Sequence, residues 1–132
     1  RLEAISMYLE RQVTALLAAG KTVVVLGPLP AAGFEAAEWR ARALWANTEA
    51  PRDMSYPRDA FEEYSALTWA LFDTLEANER LRFVDLTDVF CPGATGCEVI
   101  SDGVPLHFDD NHLSSAGVAR VVGPLVEAIM AP

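Results

Sequence analysis

Lysine is almost missing from this sequence. Lys21 is the only one, and arginine brings the basic residues to ten against nineteen acidic ones, a net charge of −9. No basic cluster stands anywhere along the chain. A surface that neutralises phosphates needs one, so nucleic acid is excluded as a partner. Long apolar runs are also lacking: none approaches the ~18 residues that a membrane-spanning helix requires. There is no internal repeat, no low-complexity tract and no signal-peptide pattern. The first residue is Arg1 rather than methionine, and the text opens inside a helical pattern. The expectation is therefore a piece of a longer protein, with any targeting or membrane segment upstream of Arg1.

What is present is a packable core. Apolar residues are 52% of 132, enough for one domain over 1–132 and too many for a disordered chain. Leu2, Ile5, Leu9, Val13, Leu16 and Leu17 recur at helical spacing, and Gly20 stands where a helix C-cap belongs. The β-branched run TVVVLG then reads as a strand buried on both faces, closed by Pro28 and Pro30. An Ala-rich stretch from about Glu35 to Ala46 forms the next helix. Trp39 and Trp45 on it read first as core residues, and otherwise as a substrate wall. Pro57 suits a first helical turn, and Phe61, Tyr64, Thr68, Leu71, Phe72 and Leu75 make the stripe of the helix after it. RFVDLT is a second strand, followed by the cysteine turn and an irregular stretch to Pro105. Ser114 caps a last helix, whose stripe runs from Val118 to Ile129 and whose Pro124 should kink it. Helix–strand–helix–strand–helix is the α/β pattern with a parallel sheet. Two strands are few for such a sheet. Each has an edge to cover, so further strands are expected upstream or from another chain, and exposed edges would drive self-association into a homo-oligomer.

Cys91 and Cys97 bound the tight turn CPGATGC. They can form a disulfide, contributing about 2 kcal/mol by loop entropy, which would place the chain in an oxidising compartment. A metal pair or two free thiols are the other readings. The spacing is wider than the usual zinc pair.

The only two histidines fall within His107-Phe108-Asp109-Asp110-Asn111-His112, just ahead of the last helix. Asp109 and His112 are three positions apart, so the Asp109 carboxylate can fold back onto the His112 ring. It would fix one tautomer and leave the other ring nitrogen to take a proton. That is two-thirds of a Ser-His-Asp triad. A solvated Asx-turn and a metal site built from His107, Asp109, Asp110 and His112 are the rivals.

FDDNHLSSAG resembles the last block of SGNH (GDSL-type) hydrolases. Together with VVVLGPLPAAGF and FCPGATGC, in that order along nearly the whole chain, it is similar to the SGNH domain fused to bacterial acyltransferase-3 membrane proteins. The resemblance implies a three-layer α/β/α, flavodoxin-like parallel sheet, of which this chain is the C-terminal part. It implies His112 as general base and Asp109 as its orienting acid, with Asp110 the alternative acid, expected to be solvated. Leu113 would pack under the loop, and Gly117 would allow close helix–sheet contact. The activity implied is O-acyl, in particular O-acetyl, transfer or ester hydrolysis on a cell-envelope carbohydrate, with no cofactor and no metal. The implied partners are the carbohydrate or acyl-ester substrate and an upstream membrane acyltransferase domain, on the periplasmic or extracytoplasmic side. His107 departs from the aromatic, usually Tyr, expected there, and should alter the pocket wall.

The family's G-D-S nucleophile block has no counterpart. Ser6, Ser55, Ser65, Ser101, Ser114 and Ser115 all lack its setting, and Gly33 and Asn47 are in the wrong contexts for the oxyanion hole. Base and acid without nucleophile and oxyanion donors lose nearly all rate enhancement, so the chain alone is expected to be inactive. The alternative is a non-catalytic SGNH-like module that holds glycan, with Trp39, Trp45 and Tyr56 stacking on the sugar.

Overall fold

The computed structural model describes residues 2–50, 52–94 and 96–131. Helix α1 (Leu2–Ala18) ends where Gly20 takes φ 76°. The amides of Gly20 and Lys21 there donate to the carbonyls of Leu17 and Leu16, the glycine cap that the sequence places at this point. Strand β1 (Val23–Leu26), helix α2 (Ala36–Trp45), strand β2 (Met54–Pro57) and helix α3 (Arg58–Phe72) follow. Then come β3 (Leu81–Val84), the short α4 (Thr87–Phe90), β4 (Gly96–Ser101), β5 (Val104–Pro105) and α5 (Ser115–Met130).

β1 and β3 pair in parallel, from Val23 opposite Leu81 to Leu26 opposite Val84, so the chain is an α/β protein as expected. Arg82 of β3 donates to the Ala128 carbonyl of α5 at 2.6 Å. Its neighbour Phe83 meets Phe72 of α3, ring centroids 5.4 Å apart. Adjacent strand residues point to opposite sides, so these two contacts lie on opposite faces of the strand. The main core gathers Phe61, Val84, Leu86, Phe90, Leu106 and Val121 around a disulfide between Cys91 and Cys97. Both cysteines are fully buried.

The structure departs from the sequence reading in four places. The stretch before Pro105 is not irregular: β4 pairs antiparallel with β2 and with β5 in a separate three-stranded sheet. Asp102 and Gly103 both take positive φ, 49° and 76°, which is the two-residue turn that an Asp-Gly pair makes. The buried side of α3 carries Phe61 and Ser65, while Tyr64 is 73% exposed. β1 is only half-buried and Leu26 is exposed, because β1 pairs with β3 alone and its other edge meets no strand among the described residues. In α1, Val13 is buried while Ile5 and Leu16 are exposed; the Leu2 side chain lies outside the described residues.

α5 starts as expected. The Ser114 hydroxyl accepts from the Gly117 amide at 3.2 Å and donates to the Pro105 carbonyl at 2.7 Å. Pro124 sits within α5, which runs on as one element to Met130. Gly117 is buried, and a Cβ there would lie well inside contact distance of the Leu106 carbonyl oxygen. Helix and loop can approach this closely only without a side chain.

Two outcomes follow. Gly117→Ala should lower stability by about 1–3 kcal/mol in chemical denaturation, overpacking outweighing alanine's better helix propensity; a more stable variant would mean that α5 and the Leu106 segment are not in contact. The isolated chain should self-associate through the free β1 edge, and a strictly monomeric species in sedimentation with a normal cooperative melt would contradict this.

Candidate active site

The loop from Leu106 to Ser114 is closed at its base. Ser114 N donates to Leu106 O at 3.0 Å, His107 and Leu113 form a bridge, and Phe108 N donates to His112 O at 2.7 Å. Leu106 N is in turn held by Val99 O of β4 at 2.8 Å. Leu113 packs against the main core. The tip of the loop is therefore a short, tethered turn at the head of α5.

Asp109 organises that turn. Its Oδ1 accepts from the amides of Asn111 and His112, at 3.0 and 2.7 Å. Its Oδ2 accepts from His112 Nδ1 at 2.8 Å. The aspartate-centred turn and the Asp–His pair, weighed above as rivals, are thus one arrangement. A carboxylate can only accept, so Nδ1 carries the proton and Nε2 presents a lone pair. The His112 side chain is 78% exposed, which leaves Nε2 open to a reacting group. The amides of Asn111 and His112, then the His112 ring, hold the Asp109 carboxyl down at about 2. Each of these bonds favours the ionised form. The Asp110 side chain is exposed, and only its backbone carbonyl is engaged, accepting from Gly33 N at 3.1 Å.

His107 does not line a pocket wall. It is fully buried, and its Nε2 donates to the Pro30 carbonyl at 2.7 Å. Burial holds its imidazole below the usual range, opposed in part by the Pro30 bond and the charge of Asp109. Nδ1 has no hydrogen-bond partner. No group of three or more His, Cys, Asp or Glu among the described residues is arranged to hold a metal ion.

A cavity of about 250 Å³ lies beside the loop, lined by Gly33, Tyr56, Phe61, Tyr64, Asp110 and Asn111. A larger one, of about 430 Å³, opens between α1 and the segment leading into β3, with Arg80 and Ala18 on its walls. That is the amino end of the parallel strands. The Asp109–His112 loop instead meets the segment leaving β1, at the carboxyl end, where α/β sheets place their ligands. The smaller cavity is therefore the relevant one. Of the aromatic candidates, Tyr56 lines it. Trp39 borders a separate surface hollow with Phe34 and Arg42. Trp45 is 91% exposed and Trp39 38%, so neither is a core residue: α2 buries only Ala36. The sequence reading missed Tyr64, which its helical spacing had turned inward, and Asn111.

The serines nearest the loop and core are engaged elsewhere among the described residues. Ser114 is committed to its cap, Ser65 is buried with its hydroxyl on the Glu62 carbonyl, and no serine hydroxyl bonds the His112 ring among the described residues. The chain thus combines an α/β fold with an Asp–His pair at the head of its last helix. A family model described as "SGNH domain (fused to AT3 domains)" matches residues 2–127, and the chain belongs to that family. Membership brings with it a role of the acyltransferase or esterase type and fusion to AT3 domains. No curated protein and no solved structure matches the chain. No helix among the described residues is long and apolar enough to cross a membrane.

The Asp109 carboxyl should titrate near 2 when followed by its carboxyl carbon resonance. Because its pKa is depressed, its contribution to stability is complete above the usual carboxylate range, about 3.9, and is lost as pH falls toward 2. A midpoint near 4 would contradict the three-bond turn.

Proposed function

We propose that this chain carries the acid–base half of a Ser-His-Asp site in the C-terminal part of an SGNH domain. His112 is the general base and Asp109 its orienting acid, and the serine comes from a segment outside this chain. The observation that carries the reading is the 2.8 Å bond from His112 Nδ1 to Asp109 Oδ2, with the remainder of the ring open to solvent. In the reaction, His112 Nε2 takes the serine proton as Oγ attacks the acyl carbonyl. The imidazolium then returns the proton to the departing oxygen, leaving an acyl-serine. An incoming hydroxyl repeats the exchange, giving transfer if it belongs to a sugar and hydrolysis if it belongs to water.

The free β1 edge is where the missing part of the sheet would pair, completing a three-layer α/β/α sheet. The opposite-face contacts of Arg82 with α5 and Phe83 with α3 suit that architecture. The cavity of Tyr56, Phe61 and Tyr64 beside Asp110 and Asn111 suits a carbohydrate: aromatic faces for the ring, a carboxylate and an amide for its hydroxyls. We therefore read the substrate as an O-acyl, in particular O-acetyl, group on a cell-envelope glycan. The Cys91–Cys97 disulfide supports a periplasmic or extracytoplasmic place, tethered through an upstream membrane acyltransferase domain.

The same cavity favours a second reading, a module that holds glycan without cleaving it. Activity separates the two. In the full parent protein with p-nitrophenyl acetate, His112→Ala should lower kcat/KM by at least about 100-fold, and Asp109→Asn should also cut it heavily, because the asparagine amide imposes the wrong tautomer. The 132-residue chain alone should be inactive. Equal activity in parent and His112→Ala removes His112 from the mechanism. Activity in the isolated chain would place the nucleophile within it.

A further inference from the structure

His107 is a costly residue for its position. It is completely buried, and one ring nitrogen, Nδ1, has no partner. An apolar ring of similar size would fill the space beside Phe90, whose centroid is 6.5 Å away, without that penalty. What an apolar ring could not do is donate to the Pro30 carbonyl. That bond, at 2.7 Å, spans 77 positions of the chain. It ties the segment leaving β1 to the loop that holds Asp109 and His112. A second tie lies close by, the Gly33 amide on the Asp110 carbonyl at 3.1 Å. The second tie is backbone to backbone; His107 supplies the side-chain one. His107 is also bridged to Leu113, immediately after His112, so a shift of residue 107 moves both ends of the loop.

We propose that His107 is a positioning residue: its Nε2–H bond to Pro30 locks the two loops together and so fixes the Asp109–His112 pair. The relevance to turnover rests on the function proposed above, whereas the positioning is testable without substrate.

Two variants separate ring volume from hydrogen bonding. His107→Phe keeps an aromatic ring and loses the donor. His107→Gln keeps an amide donor that reaches toward the same place. In the phenylalanine variant, hydrogen exchange at the Gly33 amide should rise by at least about five-fold, the effect of one typical hydrogen bond. The His112 ring should shift, in long-range proton–nitrogen spectra, from the Nδ1–H tautomer toward a mixture of both. His107→Gln should restore both signals. If the phenylalanine variant does not fold, His107→Asn, whose amide is too short to reach Pro30, is compared with His107→Gln in the same way. A folded phenylalanine variant with Gly33 exchange and the His112 tautomer unchanged overturns the proposal, as does a folded glutamine variant that restores neither. Should His112→Ala leave ester turnover intact while both signals still answer to residue 107, the positioning stands and the catalytic reading falls.

Discussion

Three N–H groups converge on one carboxylate, and the site depends on that convergence. Asp109 takes two backbone amides on one oxygen and the His112 ring on the other. The backbone bonds make the turn, and the turn delivers the imidazole. Local folding and side-chain orientation are therefore one event here rather than two. An ionised carboxylate is required for both, and the same three donors keep it ionised. Neutralising it would release the ring and the turn together.

The rest of the domain supplies a footing for this small turn. Val99 of β4 holds Leu106, Leu106 holds Ser114, and Ser114 caps α5. Gly117 lets the helix come down on the Leu106 carbonyl. β4 is itself fixed at its start by the buried disulfide and across its face by Arg120 of α5, which is paired with Glu98. Arg58, at the start of α3, donates to the carbonyls of Cys91 and Gly93 and pairs with Asp88, so α3 is fastened to the same turn. The lines of support from α3, β4 and α5 thus meet around residues 91–117.

Much of this was legible in the sequence wherever a local rule governs. The Gly20 cap, the bounds of α2, the parallel β-branched strands, the Ser114 cap and the reach from Asp109 to His112 are all short-range consequences of residue type. The β4–β5 hairpin had a local signal too, Asp102-Gly103 between apolar residues, but it lay in a stretch dominated by the cysteines. The inner face of α3 was legible only in part: Phe61 is buried and Phe72 meets Phe83 as the stripe expects, but Ser65 lies inward and Tyr64 outward. On the same face as Ser65, Trp69 passes over the distant Gly27, where a Cβ would collide with its ring, a contact that no local pattern records. The buried station of His107 was hidden for the same reason: its partner, Pro30, is far away in sequence and offers a backbone carbonyl, which no motif records. The resemblance to the SGNH family was legible in the order of three motifs along the chain, whereas Asp-x-x-His alone would not have carried it; membership itself rests on the family model over residues 2–127.

The closed base of the Leu106–Ser114 loop has an evolutionary corollary. Its ends are secured by main-chain bonds, and Asp110 is gripped through its carbonyl rather than its carboxylate. The side chains of residues 110 and 111 are thus free to vary without disturbing the residues on either side of them. These are the two loop residues that face the aromatic cavity. The lining of the cavity can therefore change at these two positions, one side chain at a time, while the Asp109–His112 pair stays still.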